Sequence, residues 1–130
     1  MTYMHHVEQA KHALGVTTNR IDQLCRDLAT LDQEIMALEL EGTSNASAHW
    51  RDGKYLYLVY PMENGQRRRE YVGNKGDNVE NALQRVDRHK RCQQLRRERA
   101  RVRSNLREYI RRSLDLMSTE AYTPGKPRPT

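Results

Sequence analysis

The chain has 130 residues and a formal net charge of +6, and 36% of its residues are hydrophobic while 31% are charged. This length suits one domain, and this balance suits an elongated helical molecule better than one with a broad apolar core. No apolar run approaches the roughly 20 residues of a membrane span, and two cysteines are too few for a secreted disulfide framework. We therefore expect a cytoplasmic protein with no membrane partner.

The charges are divided unevenly along the chain. Residues 1–66 hold five Lys or Arg against nine Asp or Glu, whereas residues 67–112 hold sixteen against six. Fourteen of those sixteen are Arg, whose planar guanidinium group suits bidentate contacts to phosphate. This half of the chain favours nucleic acid as a partner. The alternative is that its arginines are simply solvated, or neutralised by the acidic first part of the chain.

The first predicted element is a helix over residues 1–41 with a seven-residue apolar repeat. Val7 begins a series at every seventh position, and Ala10 begins a second series three residues later. This spacing is typical of a coiled coil, and Gly42 is the expected C-cap. The repeat predicts an oligomer interface along the helix. Its predicted members are Val7, Leu14, Ile21, Leu24, Leu28, Leu31, Ile35 and Leu38.

Residues 42–76 are predicted to form a linker and a β-hairpin. In the segment YLYLVY, which begins at Tyr55, successive side chains should alternate between the two sides of a strand. One set is Tyr55, Tyr57 and Val59, and the other contains two leucines. Asn64-Gly65 is the dipeptide most typical of a two-residue hairpin turn, because both residues accept positive φ.

The return strand of this hairpin, residues 66–72, is strongly basic. Alternation places Arg67 and Arg69 on one side and Arg68 on the other. An Asp52-Gly53 turn would add a third strand from residues 48–50, so the sheet is expected to have two or three strands.

The second predicted helix is basic and spans residues 77–118. Residues 119–130, rich in Pro, are expected to be a disordered tail. The fold class is therefore mainly α: a long antiparallel coiled-coil helical hairpin with a small inserted antiparallel β-hairpin. If both helices start level with the hairpin, Cys25 and Cys92 lie in one buried layer. Because two helices bury little surface, we expect a dimer or a higher homo-oligomer.

Residues 50–86, WRDGKYLYLVYPMENGQRRREYVGNKGDNVENALQRV, resemble the sheet-then-helix DNA-binding modules of tyrosine integrases. They also resemble small uncharacterised proteins of mobile elements. The similarity rests on an aromatic strand, a Gly turn, a basic strand and a following helix. Integrase modules of this kind lay a three-stranded sheet into the major groove, so the resemblance implies that Arg67, Arg68 and Arg69 contact DNA. The long N-terminal helix distinguishes this chain from those modules.

Two functions are compatible with these features. The first is non-catalytic nucleic-acid binding, to DNA rather than RNA, as an accessory or regulatory factor of a mobile element, phage or plasmid. Its tyrosines would stack on bases if the target is unpaired. The second is a coiled-coil protein–protein interaction module that scaffolds or inhibits a larger complex. The candidate nucleic-acid-binding residues are Arg67, Arg68, Arg69, Tyr55, Tyr57, Tyr71, Lys75, Arg96, Arg103 and Arg107.

The sequence offers no pattern typical of an enzyme. Neither cysteine lies in a Cys-x-x-Cys pair, and no glycine-rich phosphate loop precedes a helix. His5, Glu8 and His12 share one helix face, but side chains of this kind near a helix terminus are more often solvated than bound to a metal. We therefore expect no catalysis, no metal and no cofactor.

Overall fold

A computed structural model describes residues 2–120, which form two long helices with a small antiparallel sheet between them in chain order. The elements are α1 (Thr2–Glu41), β1 (Ser47–Arg51), β2 (Tyr55–Val59), β3 (Arg69–Gly73) and α2 (Asp77–Glu120). The mainly helical class with an inserted antiparallel sheet is confirmed. α2 runs two residues past its predicted end at residue 118, and residues 121–130 of the predicted tail lie outside the described residues.

The chain divides into two compact units. One unit is Leu31–Glu98, which contains the sheet, the end of α1 and the first half of α2. The other unit combines the chain before Leu31 with the chain after Glu98. Each helix therefore contributes to both units.

The sheet is a three-stranded meander in the order β1-β2-β3, with β2 in the centre. Asp52 and Gly53, which join β1 to β2, have φ of 54° and 67°, and Asn64 and Gly65, between β2 and β3, have φ of 51° and 76°. Asn, Asp and Gly tolerate this left-handed region best, which is why these dipeptides mark the turns. Both predicted turns form, and the third strand is present.

The core of the sheet lies on the face that β2 turns towards α2. Leu56 and Leu58 are 0% and 4% exposed, and they cluster with Val79, Ala82 and Val86 from the first turns of α2. Fully burying a leucine side chain stabilises a fold by about 1.5–3 kcal/mol. The sheet is therefore held against the start of α2 mainly by two alternate residues of its central strand.

The end of α1 is capped by a side chain from α2. Gly42 has φ of 105°, and its N–H donates to carbonyls of the last turn of α1 at 3.1 and 3.2 Å. The Arg88 guanidinium donates through Nε to the Gly42 carbonyl at 2.6 Å and through Nη2 to the Glu41 carbonyl at 3.3 Å. A cation at this position also complements the helix dipole. The predicted glycine C-cap is confirmed.

Beyond this cap, α1 and α2 are joined by ion pairs and by buried apolar residues. Glu34 of α1 lies 3.9 Å from Arg91, and Glu39 forms an ion pair with Arg96. Exposed pairs of this kind contribute little to stability. The larger contribution comes from burial, because apolar side chains of both helices are at most 7% exposed in this unit. These are Leu31, Ile35, Cys92 and Leu95.

Part of the predicted oligomer interface is buried within a single chain. Leu24, Leu31 and Ile35 are 1%, 7% and 4% exposed, so they retain almost no surface for a second copy. Leu14 is 51% exposed. The other four predicted members are half-buried; they are Val7, Ile21, Leu28 and Leu38. The side chains of Leu24, Leu31 and Ile35 are therefore covered by other residues of the same chain.

The predicted buried layer of two cysteines does not form. Cys92 is 1% exposed, whereas Cys25 is exposed. The cause is local. Leu24, the residue before Cys25, is 1% exposed, so this level of α1 is covered. Successive helix residues are rotated by about 100° around the axis, so Cys25 lies off the apolar repeat and is exposed.

We expect Leu56→Ala to lower the free energy of unfolding by about 2–5 kcal/mol, because it leaves a cavity under the sheet. Leu40→Ala is the matched control, since Leu40 is 83% exposed and should change stability by less than about 0.5 kcal/mol. Urea denaturation of both variants measures the difference. Equal losses for the two substitutions would contradict the placement of the core.

Candidate nucleic-acid interface

The face of the sheet opposite its core presents three tyrosines, Tyr55, Tyr57 and Tyr71, which we call the tyrosine cluster. Tyr57 of β2 pairs directly with Tyr71 of β3, and their ring centroids are 5.2 Å apart. The Tyr55 and Tyr71 rings are 6.5 Å apart. Tyr71 is 56% exposed and Tyr55 39% exposed, while Tyr57 is half-buried. The cluster is therefore a packed aromatic surface that remains accessible.

Three arginines surround this cluster. Arg51 of β1 pairs with Tyr55, and Arg69 of β3 pairs with Val59, so both belong to the same face of the sheet. Arg67 lies two residues before Arg69, and it lines a depression on this face together with Arg51 and Arg69. These three guanidinium groups form no ion pair with any residue that the structure describes. Together with the tyrosine cluster they make up what we call the tyrosine face.

Two adjoining depressions lie on the tyrosine face. The larger, of about 490 Å³, is lined by the three arginines together with Tyr57 and other residues of β1 and β2. The smaller, of about 290 Å³, is lined by Arg51, Asp52 and the tyrosine cluster. Both depressions share Arg51 and Tyr57. Asp52 is the only acidic residue among their linings, so the local charge is strongly positive.

Arg68 occupies a different environment from its two neighbours. Its guanidinium carbon lies 4.0 Å from the centroid of the Tyr60 ring, a cation–π contact. The Tyr60 hydroxyl donates to Oε2 of Glu70 at 2.8 Å. That hydrogen bond to the carboxylate, with a smaller contribution from burial, raises the pKa of Tyr60 above its ordinary value. Arg68 is thus held by local contacts, whereas Arg67 and Arg69 have no carboxylate partner among residues 2–120.

The remaining predicted residues do not join the tyrosine face as one group. Arg96 is paired with Glu39, which partly neutralises it. Lys75 is exposed in the segment between β3 and α2. Arg103 and Arg107 are exposed in the second unit and form no ion pair within the described part of α2 or elsewhere in residues 2–120.

Neutralisation of the basic helix is only partial. The acidic first helix supplies carboxylates to Arg91 and Arg96. Further along α2, Arg111 and Arg112 both contact Glu108 of the same helix. The hydrogen bond from Arg111 is the main cause that lowers the pKa of Glu108 below its ordinary value.

Two residues of the tyrosine face were not among the predicted site residues. His49 pairs with Tyr57, and Arg51 pairs with Tyr55, both from the edge strand β1. The Asp52-Gly53 turn was the available signal. Once it is taken to form a hairpin, alternation places residues 49 and 51 on the same side as the tyrosines.

No group of three or more His, Cys, Asp or Glu side chains suited to a metal ion occurs between residues 2 and 120. In that same range, neither helix is apolar enough over a sufficient length to cross a membrane. Comparison of the chain with protein-family models, curated proteins and solved structures gives no match.

The hydrogen bond of Tyr60 makes stability depend on pH. Because its pKa is raised in the folded state, the stabilisation is present below the ordinary tyrosine pKa of 10.0 and is lost as the pH rises through the folded value. We expect alkaline pH to destabilise the wild-type protein more than Tyr60→Phe. Ultraviolet absorbance of phenolate should also show that the variant lacks a late-titrating tyrosine.

Glu70→Gln provides the control for this titration. It keeps a hydrogen-bond acceptor but removes the negative charge, so the pKa of Tyr60 should move back towards its ordinary value. If the wild-type protein and Glu70→Gln, which both keep Tyr60, gave the same titration curve, the contact with Glu70 would not exist in solution.

Proposed function

We propose that this protein is a non-catalytic nucleic-acid-binding protein that contacts its target, DNA in preference to RNA, through the tyrosine face. One observation carries the proposal. Arg51, Arg67 and Arg69 have no carboxylate partner among the described residues, and they flank accessible aromatic rings on a face that the core leaves uncovered. Free arginines attract phosphate, and aromatic rings offer a surface for bases.

The contrast with other arginines of the same unit supports this proposal. Arg88 caps α1, while Arg91 and Arg96 contact carboxylates of α1. Arginines with a structural role in this unit therefore have partners in the fold. Arg67 and Arg69 have none there, although the chain is rich in carboxylates, and a negatively charged ligand would complement them.

The arrangement of the sheet supports a role related to integrase-type modules. Three antiparallel strands precede a helix that packs on one face, and the other face is basic and exposed. On this basis the protein acts as an accessory or regulatory factor of a mobile element, phage or plasmid, without chemistry of its own.

The test compares two substitutions that remove the same charge from neighbouring positions. Arg69→Ala removes a guanidinium group from the tyrosine face, and Arg68→Ala removes one from the opposite side. Binding of labelled duplex and single-stranded DNA is measured between about 50 and about 200 mM salt. We expect Arg69→Ala to weaken binding and to reduce the slope of log affinity against log salt by about 1, and Arg68→Ala to leave the slope unchanged.

Two outcomes would contradict the proposal. Equal effects of Arg69→Ala and Arg68→Ala would mean that only total charge matters, so the tyrosine face would not be the site. Absence of binding to any nucleic acid at about 50 mM salt would remove the nucleic-acid function altogether.

A second candidate function is assembly with another copy of this chain. It is favoured by exposed apolar residues that recur every three or four positions along the helices. They lie in the unit that combines the chain before Leu31 with the chain after Glu98. Leu14 continues the seven-residue repeat of α1 and is 51% exposed, while Ile110, Leu114 and Met117 of α2 are 42%, 58% and 64% exposed. A stripe at i, i+4 and i+7 suits packing against further helices. A second copy would supply the same stripe.

If the chain assembles in this way, Leu114→Glu should dissociate the oligomer, because it places a charge in the apolar interface. Leu40→Glu introduces the same residue at a position that is 83% exposed and lies off the repeat, and it should leave the oligomer intact. Sedimentation equilibrium distinguishes these results. A monomeric wild-type protein would exclude the assembly function.

A further inference from the structure

The geometry points to an unpaired nucleic-acid strand as the ligand of the tyrosine face, with bases stacked on Tyr57 and Tyr71 and phosphates held by the flanking arginines. This inference rests on the proposed function and names its class of ligand. Single-stranded DNA and single-stranded RNA share the required chemistry, and the experiment below distinguishes them.

The position of the tyrosine cluster is the first reason. Tyr57 lies on the central strand, so its ring is in the middle of the tyrosine face, and Tyr71 pairs beside it with 56% of its surface exposed. An aromatic ring binds a base by stacking on its π-face. In a duplex those base faces are covered by neighbouring base pairs, whereas in a single strand they are free.

The residue types of the three β-strands are the second reason. A β-ribbon that reads a duplex major groove does so through hydrogen bonds to base edges, for which Asn and Gln suit adenine and Arg suits guanine. No strand residue of β1, β2 or β3 is Asn or Gln. The centre of the tyrosine face is aromatic, and its arginines lie on the edge strands or just before them. Such a surface can stack bases and bind a nucleic-acid backbone, but its strands have no Asn or Gln to form hydrogen bonds with adenine edges.

The positions of the arginines indicate the path of the nucleic-acid strand across the sheet. Arg51 is on β1 and Arg69 is on β3, with Tyr57 between them on β2. Neighbouring β-strands are about 4.8 Å apart, so the two edges are separated by about 10 Å. Arg51 lies opposite Tyr55 and Arg69 opposite Val59, so the two arginines are also offset by about 13 Å along the sheet and lie on a diagonal. The nucleic acid therefore crosses the sheet from one edge to the other, with phosphates near both edges and bases over the centre.

The two depressions support contact with successive bases. They adjoin each other, and each is lined by both Arg51 and Tyr57. One also contains Arg67 and Arg69, and the other also contains the remaining tyrosines. A strand that places one base in each depression would keep Tyr57 in contact with both bases and Arg51 close to the phosphate that links them.

Paired tyrosines on neighbouring strands also stabilise a sheet, so binding and folding must be separated. Tyr57→Leu removes the ring but keeps an apolar side chain of similar width, and Tyr57→Phe keeps the ring but removes the hydroxyl. Tyr3→Leu makes the first change at an exposed position of α1, away from the sheet. Circular dichroism and urea denaturation verify that each variant is folded before binding is measured.

The experiment titrates the full chain with labelled single-stranded DNA, single-stranded RNA and duplex DNA of the same sequence at about 50 mM salt. We expect at least one single strand to bind more tightly than the duplex. Loss of a stacked base costs about 1–3 kcal/mol, so Tyr57→Leu should weaken single-strand binding by about 5- to 150-fold. Tyr57→Phe and Tyr3→Leu should bind like the wild-type protein.

Trp50 gives an indirect readout that does not depend on the label. It is the one Trp of the chain and lies between His49 and Arg51 on β1, although it pairs with Leu56 and its side chain is therefore on the opposite face of the sheet. Its fluorescence should change as the single strand is added and should follow the same titration curve as the label. The preferred sugar, deoxyribose or ribose, follows from the comparison of the two single strands.

The failure of this inference is distinguishable from the failure of the proposed function. If duplex binds as tightly as either single strand and Tyr57→Leu has no effect, while Arg69→Ala weakens binding, the protein contacts phosphates but the inference is wrong. If no nucleic acid binds at about 50 mM salt, both the inference and the proposed function are wrong.

Discussion

The packing of Leu56 and Leu58 against the first turns of α2 is the contact on which the candidate site depends. Side chains of a strand alternate between its two faces, so burying these leucines obliges Tyr55 and Tyr57 to lie on the other face. The pairing of β3 with β2 then brings Tyr71 beside Tyr57. One apolar contact thus determines both the position of the sheet and the side on which its tyrosines are presented.

α2 packs against the sheet with its first turns and against α1 further along, and the second contact explains the roles of several of its arginines. Its first turns support the sheet, and from Arg88 onward it contacts α1. Arginines at the second contact cap a helix or pair with carboxylates, as Arg91 and Arg96 do. The arginines of this chain therefore have two different roles. Some of them join the helices, and others, such as Arg69 on the sheet, remain available to an anionic ligand.

The proposed nucleic-acid binding and the proposed assembly would use different residues of this chain. The tyrosine face lies within Leu31–Glu98, whereas the exposed apolar residues, such as Leu14 and Leu114, belong to the other unit. The two functions are therefore compatible with each other. An oligomer would present several tyrosine faces to one nucleic acid, and linked sites of this kind increase the overall affinity without any new contact.

The sequence by itself determined the local features of this protein. Asp52-Gly53 and Asn64-Gly65 form turns because these residue types accept positive φ, and Gly42 ends α1 for the same reason. The alternation in β2 and the separation of Arg68 from its neighbours also follow from the geometry of a strand, which needs no knowledge of distant residues. For these reasons the mainly helical class and most of the tyrosine face could be predicted.

Only the tertiary structure decided which distant residues meet. The level at which α2 meets the end of α1 depends on how many turns of α2 the sheet covers, and this level brings Arg88 to the Gly42 carbonyl. The pairing of Arg96 with Glu39, and the addition of Arg51 to the tyrosine face, depend on the packing of helices and on strand pairing. The physical reason is that spacing along a chain sets the direction of each side chain, whereas its neighbours are set by how separate elements pack.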